Sequence, residues 1–152
     1  MNFRKPIIAV LLCATLVVGV SVAEAENAGR FTGRTSAKDP VGFRVDGSNR
    51  VHGFFFDHVR LKCSDEDSFT TGRNQSRAST RDRINSSRRF TVFRSRSTNG
   101  FGWTFKGRFG SRGRSASGTL RVLARFDIEN RLSPRGRITC DSGLLRWTVR
   151  RR

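Results

Sequence analysis

Asn99-Gly100-Phe-Gly-Trp103-Thr-Phe105-Lys-Gly-Arg-Phe109-Gly-Ser-Arg-Gly113-Arg-Ser-Ala-Ser-Gly-Thr-Leu120-Arg-Val122-Leu-Ala124-Arg-Phe126 contains two turns and two alternating runs. Its reading decides the fold class. Asn99-Gly100 is a hairpin signal, because a tight two-residue turn needs positive φ at its central positions. Beyond it, Trp103, Phe105 and Phe109 fall on one face of a strand over residues 102–109. Gly110-Ser-Arg-Gly113 turns the chain, and residues 115–126 form the next strand, with Leu120, Val122, Ala124 and Phe126 inward. A period of two bounded by turn residues marks strands, whereas a helix would repeat every 3.6 residues.

The same pattern extends in both directions. Strands are expected over residues 31–35 and 41–45, the second with Val41, Phe43 and Val45 on one face. Asp46-Gly47 marks a turn. A third, long strand is read over residues 50–63. In its second half Val59, Leu61 and Cys63 alternate with His58, Arg60 and Lys62. Gly53-Phe54-Phe55-Phe56 breaks the alternation, which predicts a bulge or burial on both faces. Asp65-Glu66-Asp67 makes a turn before a fourth strand at Phe69. Residues 89–94 form a fifth, centred on Phe90 and Val92 or on Thr91 and Phe93. The last covers residues 138–140 and 145–149, interrupted by Asp141-Ser-Gly143. Seven to eight short strands and no sustained helical period predict an all-β domain, an antiparallel β-sandwich or flattened barrel.

Residues 1–25 read differently. Arg4 and Lys5, then an apolar run over residues 7–23, then Ala23-Glu24-Ala25, form the pattern of a cleaved signal peptide. The run is at the lower limit for a membrane span, so an uncleaved N-terminal tether is the alternative. Residues 26–152 then form a single secreted domain. It retains two cysteines, Cys63 and Cys140, and in an oxidising compartment these are expected to pair. Closing so long a loop stabilises the fold by roughly 4 kcal/mol on the chain-entropy argument.

The 152-residue chain carries 30 Lys and Arg against 12 Asp and Glu, a formal charge of +18, nearly all from arginine. Such a charge attracts polyanions and keeps the protein soluble, and it says nothing of the fold. Outside a cell the candidate partners are anionic cell-wall polymers or an acidic membrane surface. Residues 72–83, within a loop taken as 72–88, have no apolar anchor except Ala78 and read as an exposed mobile segment. Arg73, Arg77, Arg81 and Arg83 on that loop are the expected binding residues.

No catalytic signature accompanies the charge. His52 and His58 are the only histidines, and with Asp57 they could serve a small hydrolase, the alternative function. A secreted inhibitor or toxin presenting the loop is the other. Gly113-Arg-Ser-Ala-Ser-Gly118 has the wrong spacing for a nucleophile elbow. Asp65-Glu66-Asp67 lacks the ligand spacing of a calcium loop. No cofactor and no metal are therefore expected. The Arg-Gly text around Lys106-Gly-Arg-Phe-Gly110 could contact nucleic acid through arginine and stacked phenylalanine, but it reads better as hairpin chemistry, and secretion disfavours nucleic acid as a partner.

Cys140-Asp-Ser-Gly-Leu-Leu-Arg-Trp-Thr-Val-Arg-Arg-Arg152, Ser117-Gly-Thr-Leu-Arg-Val122 and Val59-Arg-Leu-Lys-Cys63 resemble segments of small, arginine-rich secreted β-proteins of high-GC Gram-positive bacteria. The resemblance spans residues 29–152 and implies a secreted β-fold. That group carries no assigned activity.

Overall fold

The computed structural model describes residues 28–75, 82–94, 100–130 and 133–152, without the side chains of residues 75 and 127–136. The expected signal segment, Arg77, Arg81 and Asn99 of the hairpin turn lie outside the described residues. Eleven strands follow in order: β1 (Gly29–Thr35), β2 (Pro40–Val45), β3 (Val51–Phe56), β4 (Arg60–Cys63), β5 (Ser68–Thr70), β6 (Asn74–Gln75), β7 (Arg89–Arg94), β8 (Gly100–Phe109), β9 (Ser115–Asn130), β10 (Ser133–Asp141) and β11 (Leu145–Arg151). All pairings are antiparallel, in one curled sheet ordered β5-β4-β10-β9-β11-β1-β2-β3-β6, with β8 and then β7 branching from the other edge of β9.

β9 organises the sheet. Of its 16 residues, those from 116 to 125 pair with β8 along one edge. Along the other edge the strand pairs first with β11 and then with β10. β10 and β11 are one arm laid beside β9 and broken at residues 142–144, where Asp141 faces Leu123 but Leu145 faces Leu120. The extra residue makes a bulge. The Ser142 hydroxyl there accepts from the Val122 amide (2.9 Å), and the Ser142 amide donates back to the Val122 carbonyl (3.0 Å).

The long strand expected over residues 50–63 is two strands, β3 and β4. The chain turns a corner at His58, which holds φ 57°, so β3 continues the β1–β2 meander while β4 crosses to pair with β10. That split, the division of the final arm into β10 and β11, and the two-residue β6 account for eleven strands where seven to eight were expected.

The three consecutive phenylalanines are sorted by a bulge. Gly42 pairs with Phe55 and Arg44 with His52, leaving Gly53 and Phe54 opposite Phe43. Gly53 sits at φ 57°, the left-handed conformation that the first residue of such a bulge takes and that glycine adopts without strain. The inserted residue shifts the alternation by one, so Val51, Phe54 and Phe56 all reach the core. Phe55 points to the opposite face.

Inside the curl, seven phenylalanines (31, 43, 54, 56, 90, 105 and 109) pack with Trp103 and Trp147, all nearly solvent-free. Phe54 meets Phe105 with ring centroids 4.0 Å apart, and Phe105 stacks on Trp147 at 4.3 Å. Each such burial stabilises the fold by about 1.5–3 kcal/mol. Space for the Trp147 indole comes from two glycines. Gly107 and Gly118 face each other across β8 and β9, and a Cβ on either would lie within 2.7 Å of the indole ring. Phe90 and Val92 are the buried pair of β7, leaving Phe93 exposed.

Cys63 and Cys140 form a disulfide between directly opposed positions of β4 and β10, at a sequence separation of 77. Cys140 is 1% exposed and part of the core cluster. No helix among the described residues is long and apolar enough to cross a membrane.

Candidate functional site

A sheet buried on one face sends every second side chain to the other. On β1 and β11 the inward set is Phe31, Thr35, Trp147 and Val149, so the outward set is Arg30, Thr32 and Arg34 on β1, and Arg146, Thr148 and Arg150 on β11. Pairing then fixes which meets which. Arg34 lies opposite Thr148 and Thr32 opposite Arg150. Ser36, whose amide donates to the Arg146 carbonyl at 2.7 Å, continues the ladder one step, and Arg152, whose amide donates to the Arg30 carbonyl, closes it at the other end. The result is a checkerboard: Arg146 beside Ser36, Arg34 beside Thr148, Arg150 beside Thr32, and Arg152 beside Arg30.

The surroundings extend this pattern. Ser115 and Ser117 of β9 lie opposite Arg150 and Thr148. Together with Thr32, Thr148 and Gly33 they floor a shallow trough of about 580 Å³ walled by Arg34 and Arg150. On the other side of β1 a second trough, about 460 Å³, shares Thr32, Gly33 and Arg34 and adds Arg30, Arg73 and Arg152. The two adjoin along β1 and together make a grooved surface across β9, β11, β1 and β2. Arg44 lies directly opposite Arg30, and Arg89 and Arg108 stand across from each other on β7 and β8.

Like charges set side by side on neighbouring strands repel, which disfavours the folded state. Here little offsets the repulsion. Asp57 is the one acidic side chain lining either trough, and it sits 3.1 Å from His58 Nδ1. Among the described residues, Arg30, Arg34, Arg44, Arg73, Arg150 and Arg152 form no ion pair with a carboxylate. Acidic side chains gather elsewhere, with Asp65, Glu66 and Asp67 in the β4–β5 turn. Asp141 pairs with Arg121, whose hydrogen bond holds the Asp141 carboxyl below its usual range. Asp39 is the opposite case: burial raises its carboxyl, and hydrogen bonding from the Thr35 hydroxyl opposes the rise.

Of the arginines expected to bind, Arg73 lines the groove, its guanidinium 4.7 Å from the centroid of Phe55. This cation–π contact covers the one phenylalanine of the triplet that leaves the core, and Phe55 in turn lies over Gly42. Arg83 is exposed on a short segment that bridges Arg50 at the start of β3. The flanks of the expected loop are thus tied to the sheet: Asn74–Gln75 is β6, Asp82 and Ile84 are buried, and the Val51 amide donates to the Asp82 carbonyl at 3.0 Å.

His52 and His58 do not assemble a site. His52 sits on the outer face of β3 opposite Arg44, whereas His58 lies past the bulge, at the corner, 72% exposed. No group of three or more metal-ligating side chains occurs among the described residues. Sequence reasoning missed the checkerboard. Its signal was present as Arg-x-Thr-x-Arg over residues 30–34 and Arg-x-Thr-x-Arg over residues 146–150, but only pairing brings the two together. Comparison with protein-family models, curated proteins and solved structures finds no match to this chain.

Proposed function

We propose that the protein is a secreted binding module that captures a linear polyanion along the arginine-lined groove on the outer face of β9, β11, β1 and β2. The observation that carries this reading is the set of arginines held side by side without carboxylate partners. Such an arrangement costs stability through repulsion, and an external anion relieves it. The leader-like residues 1–25 and the core-buried disulfide support action outside the cytoplasm. Arg73 extends the groove at its rim.

Binding of the purified protein to surface-immobilised anionic polymers, with neutral dextran as control, tests this. The logarithm of affinity should fall linearly with the logarithm of salt concentration, with a slope of about −0.7 for each anionic group contacted. No binding at low salt, or affinity indifferent to salt, refutes the proposal.

A further inference from the structure

The groove has a period as well as a charge. In an antiparallel pair each residue advances the chain by about 3.4 Å, so outward positions recur every ~6.8 Å. The β1–β11 ladder has four outward levels: Arg146 with Ser36, Arg34 with Thr148, Arg150 with Thr32, and Arg152 with Arg30. Every level carries a cation, and at the first three it changes strand with each step. The arginines therefore make a zigzag with at least one charge per ~6.8 Å over a run of about 20 Å. Between them the spaces are filled by hydroxyls, Ser36, Thr148 and Thr32, with Ser115 and Ser117 alongside on β9.

That period follows from bond count. Two residues of extended peptide are six backbone bonds and span roughly 7 Å. A phosphodiester polymer with a three-carbon spacer also repeats every six backbone bonds, and when extended it carries one negative charge over a comparable length. Acidic polysaccharides repeat by whole sugar rings and do not share this bond count. Guanidinium groups suit phosphate because their planar N–H fork matches its oxygens.

We propose that the β1–β11 ladder binds an extended polyol-phosphate chain, one phosphate to each arginine level, with the spacer hydroxyls meeting the threonine and serine hydroxyls between them. This rests on the polyanion reading above. A single-stranded nucleic acid shares the backbone repeat, but its bases bind such proteins mainly by stacking on aromatic side chains. The ladder presents no aromatic residue, and Phe55 beside it is already covered by Arg73.

The test compares poly(glycerol phosphate), polygalacturonate and poly(dT), at equal charge concentration, for the purified full-length protein. Two double variants accompany it: Arg34→Gln with Arg150→Gln on the ladder, and Arg60→Gln with Lys62→Gln on β4, which remove the same charge. Poly(glycerol phosphate) should bind most tightly. The ladder variant should weaken it about tenfold and flatten its salt slope by about 1.4, and the β4 variant should change affinity less than threefold. Equal losses in the two variants, or polygalacturonate binding as tightly, overturn the ladder assignment while leaving general polyanion capture standing. Tighter binding of poly(dT) overturns the choice of polyol phosphate. Failure of all three polymers to bind removes both proposals.

Discussion

Replacing Gly118 with alanine adds one methyl group where β8, β9 and β11 meet. A Cβ there would stand 1.8 Å from the Lys106 carbonyl oxygen, 2.6 Å from Cζ2 of Trp147 and 2.8 Å from Cα of Gly107. Two of these three neighbours are backbone, so no side-chain rotation relieves the clash. Either β8 retreats by about 1 Å or Trp147 leaves its slot, and such overpacking costs about 1–3 kcal/mol. Displacing Trp147 also disturbs its stack on Phe105, worth about 1 kcal/mol beyond burial. The expected loss is about 3 kcal/mol, which lowers the melting temperature by roughly 10 °C for a domain of this size. Gly53→Ala is the informative control. Nothing lies within 4 Å of a Cβ at Gly53, so only its left-handed backbone (φ 57°) matters, at a cost of about 1–2 kcal/mol. Near-ultraviolet circular dichroism during heating reads both, because Trp147 and Phe105 report on the packed slot. If Gly118→Ala melts within about 2 °C of the parent, or if Gly53→Ala is the more damaging change, the account of the paired glycines is wrong.

Two further predictions concern the covalent and ionic links. Replacing Cys63 and Cys140 together with alanine should remove about 4 kcal/mol of stability in guanidinium titration, since the bond closes a separation of 77 residues; a double variant as stable as the parent contradicts this. Asp141 is held below the ordinary carboxyl value of 3.8 by Arg121, so the folded state binds its proton less readily than the unfolded chain does. Its stabilising effect is complete above the unfolded value and fades as pH falls below about 4. Asp39, raised by burial, acts with the opposite sign, favouring the fold less as pH climbs through and above 3.8. Carboxyl titration by NMR should place the Asp141 midpoint below 3.8 and that of Asp39 above it. The reverse order would show that the Arg121 contact does not persist in solution.

Much of this architecture was legible from alternation. Val41, Phe43 and Val45, and Leu120, Val122 and Ala124, are buried as their spacing predicts, because period-two burial is a local property of each strand. The turn at residues 46–50 was legible too, although the positive φ falls at Asn49 and not at Gly47. The corner at His58 was hidden because the phase shift at Gly53 is reversed between Phe56 and Val59, so Val51, Val59 and Leu61 all fall on odd positions as in one strand. Nothing in composition distinguishes one bent strand from two when both feed the same core. The outer groove was hidden for a different reason. Arg30 and Arg150 are far apart in sequence, and their adjacency depends on β1 choosing β11 as its neighbour. Charge counting pointed instead to Arg73, Arg77, Arg81 and Arg83, which share one stretch with a single apolar residue, Ala78.

That choice of neighbour also governs the order of assembly. The β1–β2–β3 meander joins the rest of the sheet through β11, the last of the eleven strands in chain order. Until β11 arrives, one edge of β1 and the first half of that edge of β9 have no partner, and the two halves of the sheet share no ladder between them. Joining the two halves must therefore await β11, and the high proportion of distant contacts makes that step slow. The sheet as a whole closes only when β1 and β11 meet. Its arginine ladder does not exist until that moment, because each half of the checkerboard belongs to a strand that has not yet met the other.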